Sequence, residues 1–139
     1  NILYVKGSVF GDTLHFFVNH WPSRYGGVEA SQKYRICVAK TLAQHLDSIL
    51  MSDPGANIII CGDFNDESHN QSIRDLIENS KGEIVTLKGS ISKKVPGTLK
   101  FQQKWYIFDM FMVSKNLLDR KGNFFTKNDF EIIDPGDWV

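Results

Sequence analysis

The chain has 139 residues, 42% hydrophobic and 12% aromatic, enough to bury a core without metals or disulfides. Lys plus Arg number 16 and Asp plus Glu number 16, so no global field draws polyanions and any nucleic-acid contact must be local. Two cysteines without metal-ligand spacing make no disulfide framework, Asn1 to Val5 lack the features of a signal peptide, and no window is long enough to span a membrane.

Ile2 to Val5 and Leu14 to Val18 are apolar, β-branched and aromatic runs separated by Phe10-Gly11-Asp12-Thr13. Gly-Asp suits the positive-φ positions of a tight turn, so this segment predicts an antiparallel hairpin. Its second strand runs into Asn19-His20-Trp21-Pro22-Ser23, where Pro22 lacks a backbone donor and ends the ladder. From about Val28 to Met51, Val38, Leu42, Leu46, Ile49 and Leu50 recur at spacings of three and four, which predicts a long amphipathic helix. Arg35 on that helix is expected to pair locally and Cys37 to be a buried free thiol.

Asp53-Pro54-Gly55 stops the helix, and Ala56 to Cys61 is a continuous apolar run of the kind found in strands covered on both faces. Gln71 to Glu78 reads as a second helix and Ile84 to Leu87 as a short strand, followed by a polar, basic loop from Lys88 to Pro96. Thr98 to Phe101 and Tyr106 to Val113 are the next strands, and Lys115 to Asp134 an irregular connection with one further short strand. With no internal repeat or linker, this order predicts one mixed α/β layer with antiparallel hairpins.

Two polar clusters follow buried strands. Asn19-His20 and Gly62-Asp63-Phe64-Asn65 would be delivered to one sheet edge by neighbouring strands. In an extended segment Asp63 and Asn65 would face one side and Phe64 the core, and a carboxylate with an amide suits a hard divalent cation or a polarised water. The same four residues also read as a plain turn closing a strand. Asp109 lies within the apolar run Trp105 to Val113, where an ionised carboxylate is costly unless paired.

Asn19-His20-Trp21-Pro22-Ser23-Arg24, Gly62-Asp63-Phe64-Asn65, and Gly97-Thr98 through Trp105 to Asp109 resemble, in order, the successive signatures of the endonuclease/exonuclease/phosphatase superfamily. The resemblance spans roughly Leu3 to Ser114. It implies part of a four-layered α/β sandwich of the deoxyribonuclease-I-like type, with a mixed, mostly antiparallel sheet and flanking helices. It also implies a divalent cation, usually magnesium with manganese or calcium as alternatives, and in-line attack of water on phosphorus.

Roles carry over by position. His20 matches the histidine that binds phosphate or assists the leaving oxygen, and Asn19 its supporting neighbour. Asp63 matches the aspartate that binds metal or orients water, Asn65 the amide holding phosphate or metal, and Asp109 the carboxylate orienting the family's last histidine. Ser23 and Arg24 are candidates for a substrate phosphate, with a solvated or structural Arg as the alternative. Asp66 and Glu67 stand near the metal or serve the following helix, and His15, His45 and His69 are assigned to surface or packing.

The family's closing Ser-Asp-His block is not found, since no histidine follows His69, and the short lead before Asn19 holds no metal-binding Glu. Residues 1–139 are therefore expected to form a single incomplete domain, a carboxy-terminal portion inactive alone, whose uncovered sheet face favours self-association. The substrate is expected to be a phosphate ester of nucleic acid, phospholipid or nucleotide. Lys88, Lys93, Lys94, Lys100 and Lys104 could line a polyanion groove, and Trp21, Trp105 and Tyr106 could stack on bases, although solvated loops and core aromatics are the usual outcome. The competing class is a noncatalytic interaction module on the same fold.

Overall fold

β1 (Ile2–Val9) and β2 (Asp12–His20) pair antiparallel across a turn in which Gly11 takes φ 94°, a conformation open to a residue without Cβ. The computed structural model describes residues 1–9, 11–90, 95–118, 125 and 130–133. The remaining elements are α1 (Val28–Ser52), β3 (Asn57–Asp63), α2 (Gln71–Asn79), β4 (Ile84–Thr86), β5 (Gly89–Ser90), β6 (Leu99–Phe101), β7 (Lys104–Tyr106), β8 (Asp109–Ser114), a 3-10 turn (Lys115–Leu118) and β9 (Phe130–Glu131). Five strands form one sheet in the order β1-β2-β3-β8-β4. Within it β2 and β3 run parallel and the other ladders are antiparallel, which is the mixed α/β sheet the sequence predicts.

Alternation along each strand sorts the side chains into two faces. On one, Phe17, Ile58, Ile60, Met110 and Met112 join Leu42 and Leu46 of α1 and Ile73 and Leu76 of α2 in the main core. Each fully buried side chain of this kind contributes about 1.5–3 kcal/mol. On the other face Ile59 and Val113 are covered by Leu87 and Leu117, with Phe125 and Phe130 packed alongside. Leu3, Val5, Val18 and Phe111 of that face remain exposed.

The run from Tyr106 to Val113 is not one strand. β6 and β7 form a two-stranded hairpin of their own, and β8 begins only at Asp109. Between them the Thr98 hydroxyl accepts the amides of Phe108 and Asp109 at 3.0 and 3.1 Å, replacing ladder bonds. Cys37 is exposed, because α1 buries Ser31, Arg35, Ala39, Leu42 and Leu46 and turns Cys37 away. Cys61 is half-buried on the open face, and burial pushes its thiol pKa up. Lys93 and Lys94 of the basic loop, and most of the tail after Leu118, lie outside the described residues.

Candidate functional site

His20, Asp63 and Asp109 occupy one row across three adjacent strands. His20 pairs with Asp63 in the β2–β3 ladder, and Asp63 with Asp109 in the β3–β8 ladder. Directly opposed residues project to the same side, so the imidazole and both carboxylates share the sheet face that carries Val18 and Phe111. His20 and Asp109 are exposed and Asp63 is half-buried. The desolvation cost expected for Asp109 is therefore absent: it opens its strand in solvent contact rather than lying inside an apolar run.

The loop after β3 is held closely. Gly62 takes φ 126°, and a Cβ there would lie 2.0 Å from the Asn19 carbonyl oxygen. Asp63 Oδ1 accepts the Asn65 amide at 2.8 Å, a local turn that uses an aspartate side chain in place of a backbone carbonyl. Asn65 itself takes φ 51°, and its Nδ2 donates to the Trp21 carbonyl at 3.0 Å. The segment is thus bent at Asn65, and the extended alternation expected of Asp63 and Asn65 does not occur. Phe64 does enter the core, edge-on to Trp21 with ring centroids 5.0 Å apart.

Asn19 is buried and fully engaged. Its Nδ2 donates to the carbonyls of Phe17 and Cys61, and its Oδ1 accepts Trp21 Nε1 at 3.0 Å. That arrangement fits support of His20. Trp21, also buried, is core and not a platform for bases. Ser23 is exposed, and its hydroxyl faces the Tyr25 amide at 3.4 Å.

Arg24, Arg35 and Asp66 form a buried network that sequence reasoning did not assemble. The Asp66 carboxylate lies 2.8 Å from Arg35 Nε and 3.0 Å from Arg24 Nη2, and accepts the Ser72 hydroxyl at 2.6 Å. Arg24 also donates to the Asn65 carbonyl at 2.8 Å and to Asn70 Oδ1 at 2.9 Å, with its guanidinium carbon 4.5 Å from the Phe108 ring centroid. Arg35 donates to Ser31 and to the Val28 carbonyl. Arg24 therefore clamps the loop, Arg35 pairs across the fold as well as locally, and Asp66 ties both guanidiniums to the first turn of α2 through Ser72. The signal was available: Ser31, Arg35, Ala39, Leu42 and Leu46 share one helical stripe, and a cation on a buried stripe needs an anion.

His15 is buried with Nδ1 2.8 Å from the Tyr4 hydroxyl, while His45 and His69 are exposed. Among the described residues no group of three or more His, Cys, Asp or Glu could hold a metal ion. The two opposed carboxylates are a partial set. Such a set suits magnesium, which keeps several waters and takes one or two carboxylates, but it is not a complete cage.

Residues 1–138 match the Endonuclease/Exonuclease/phosphatase family. No curated protein matches the sequence. Sphingomyelinase C from Streptomyces griseocarneus is similar at 16% identity and a TM-score of 0.64, over 83% of this chain and 42% of that one. The human Nocturnin catalytic domain with bound sulfate is similar at 19% identity and a TM-score of 0.54, over 81% and 39%. A double mutant of beta toxin from Staphylococcus aureus with bound magnesium ions is similar at 17% identity and a TM-score of 0.56, over 81% and 41%. The fold is thus deoxyribonuclease-I-like, and the chain spans about two fifths of the length of these structures.

Proposed function

The chain belongs to the endonuclease/exonuclease/phosphatase family, whose members are hydrolytic phosphoesterases, and from that premise we propose that it carries part of a metal-dependent phosphoesterase site. The observation that carries the proposal is the row His20, Asp63, Asp109 on one face of three adjacent strands. In this reading His20 donates a hydrogen bond to a phosphoryl oxygen. Asp63, anchored through Oδ1, offers its other oxygen to a cation or to the attacking water, and Asn65 Oδ1 holds cation or phosphate. Asp109 orients a histidine supplied by further polypeptide.

Magnesium, the ion bound in the similar beta toxin, would when bound polarise a phosphoryl oxygen and make a bound water more acidic. Manganese and calcium are the alternatives. The exposed Leu3, Val5, Val18 and Phe111 support a single incomplete domain over residues 1–139, because a sheet face this apolar belongs against a second layer. That layer would meet the site row on the same face. Left uncovered, the face favours self-association. The substrate is a phosphate ester of nucleic acid, phospholipid or nucleotide.

Plasmid DNA, RNA and bis-p-nitrophenyl phosphate, incubated with this chain and with the longest natural polypeptide containing it, test the proposal. Magnesium-dependent hydrolysis by the longer polypeptide, abolished by EDTA and by Asp63→Ala, is the expected result. No hydrolysis by a folded parent, on a panel extended to phospholipids, would overturn it. The competing reading is a noncatalytic interaction module on the same fold. A parent that contributes neither a Glu nor an Asp-His pair to the row would bear that reading out.

A further inference from the structure

A hollow of about 650 Å³ opens beside the loop after β3, between residues 23–28 and one face of the β6–β7 hairpin. The hairpin register puts Leu99 opposite Tyr106 and Phe101 opposite Lys104, so these four share a face. Leu99 and Phe101 are 44% and 59% exposed, and Tyr25 on the facing loop is 94% exposed. Surface this apolar, gathered around one concavity, needs a partner.

The charge of the walls says which. The lining contains no acidic residue, and its charged side chain is that of Arg24. Lys104, on the same hairpin face as Leu99, Phe101 and Tyr106 and in no ion pair among the described residues, holds its Nζ 4.9 Å from the Tyr106 ring centroid.

An apolar trough with a cationic edge complements an anionic amphiphile, and we propose that this hollow binds the alkyl chain of a single phosphate-headed amphiphile, its head toward Lys104. The occupant is a monomeric molecule rather than a bilayer. As a substrate subsite this rests on the phosphoesterase reading, since Asn65 borders both; as a binding site it does not.

Calorimetric titration of the chain with decyl phosphate below its micelle concentration, without metal, tests it. Saturable binding is expected, weakened at least ten-fold by Phe101→Ser combined with Leu99→Ser, and weakened by Lys104→Gln. Both apolar positions are exposed, so the variants should keep the fold, which amide spectra verify. Inorganic phosphate and AMP should bind more weakly than decyl phosphate. AMP binding as tightly, affinity unchanged in the double variant, or binding only to phosphatidylcholine vesicles containing phosphatidic acid would each overturn the proposal. A chain that binds decyl phosphate while its parent hydrolyses nothing would sink the phosphoesterase reading and leave this one standing.

Discussion

Asp109 stands directly opposite Asp63 in the antiparallel ladder of β3 and β8, so two carboxylates project side by side with no cation paired to either among the described residues. Like charges at facing positions oppose sheet formation by about 0.2–1 kcal/mol. Replacing Asp109 by Asn should therefore raise the melting temperature in EDTA by about 1–3 °C at low salt. The same variant should lose most of any stabilisation that magnesium gives the wild-type chain. Scanning calorimetry with EDTA or 10 mM magnesium reads both, and equal magnesium response in the two proteins would remove Asp109 from the cation's reach.

The Asp66 carboxylate is the shared anion of Arg24 and Arg35, and 2% of its side chain is exposed. Neutralising it strands the buried Arg35 guanidinium, a loss of about 3–5 kcal/mol. Asp66→Asn should show this in urea unfolding, while Arg24→Ala, at a partly exposed position, should cost less. The Arg24 variant should also release Asn65: faster hydrogen exchange at its amide, with Ile60 unchanged, would separate loop positioning from global stability.

Those two relationships mark the limit of what the sequence makes legible. The long helix, the apolar strand before Gly62 and the hairpin at Gly11 follow from period and turn chemistry, which are local. Asp63, Asn65 and His20 were found as candidates because each follows an apolar run. What was missed depends on register or on contacts across the fold. Arg35 meets Asp66 only because α1 lies over the loop before α2, and Asn65 leaves the extended conformation only because Asp63 and Trp21 each take one of its groups. The break before Asp109 rests on the Thr98 hydroxyl eleven residues upstream, which no window of alternating residues reveals.

His15 is buried, and burial first, then Lys6, pushes its pKa below the ordinary 6.5, with Asp53 opposing. The folded chain thus favours the neutral imidazole, which can accept the Tyr4 hydroxyl. Below pH 6.5 the unfolded chain binds the extra proton first, so stability is full above that pH and is lost as pH falls toward the depressed folded value. Urea midpoints between pH 7.5 and 5 should fall more for wild type than for His15→Gln. Parallel declines would show that other groups carry the acid sensitivity.

The proposed self-association would run through Leu3, Val5, Val18 and Phe111, which are exposed on one sheet face. Val18→Lys with Phe111→Lys should lower concentration-dependent association in sedimentation experiments and reduce binding of an apolar dye. The helix-covered core is on the opposite face, so the melting temperature should fall by no more than a few degrees. Association unchanged by the double variant would move the contact elsewhere, to the unpaired edge of β1 first.

Gly62 allows β2 and β3 to approach where the site row begins. A Cβ there would lie 2.0 Å from the Asn19 carbonyl oxygen and 2.8 Å from its nitrogen, both backbone atoms that cannot swing away, and φ 126° disfavours any side chain. Gly62→Ala must therefore push the strands apart or untwist the loop, at about 3 kcal/mol or more in urea unfolding. Because His20 and Asp63 follow on the same two strands, the variant should also weaken any magnesium response. Gly7→Ala is the control: nothing lies within 4 Å of its Cβ position, so its stability should stay within about 0.5 kcal/mol of wild type. If both substitutions cost the same, close approach of β2 and β3 is not what Gly62 provides.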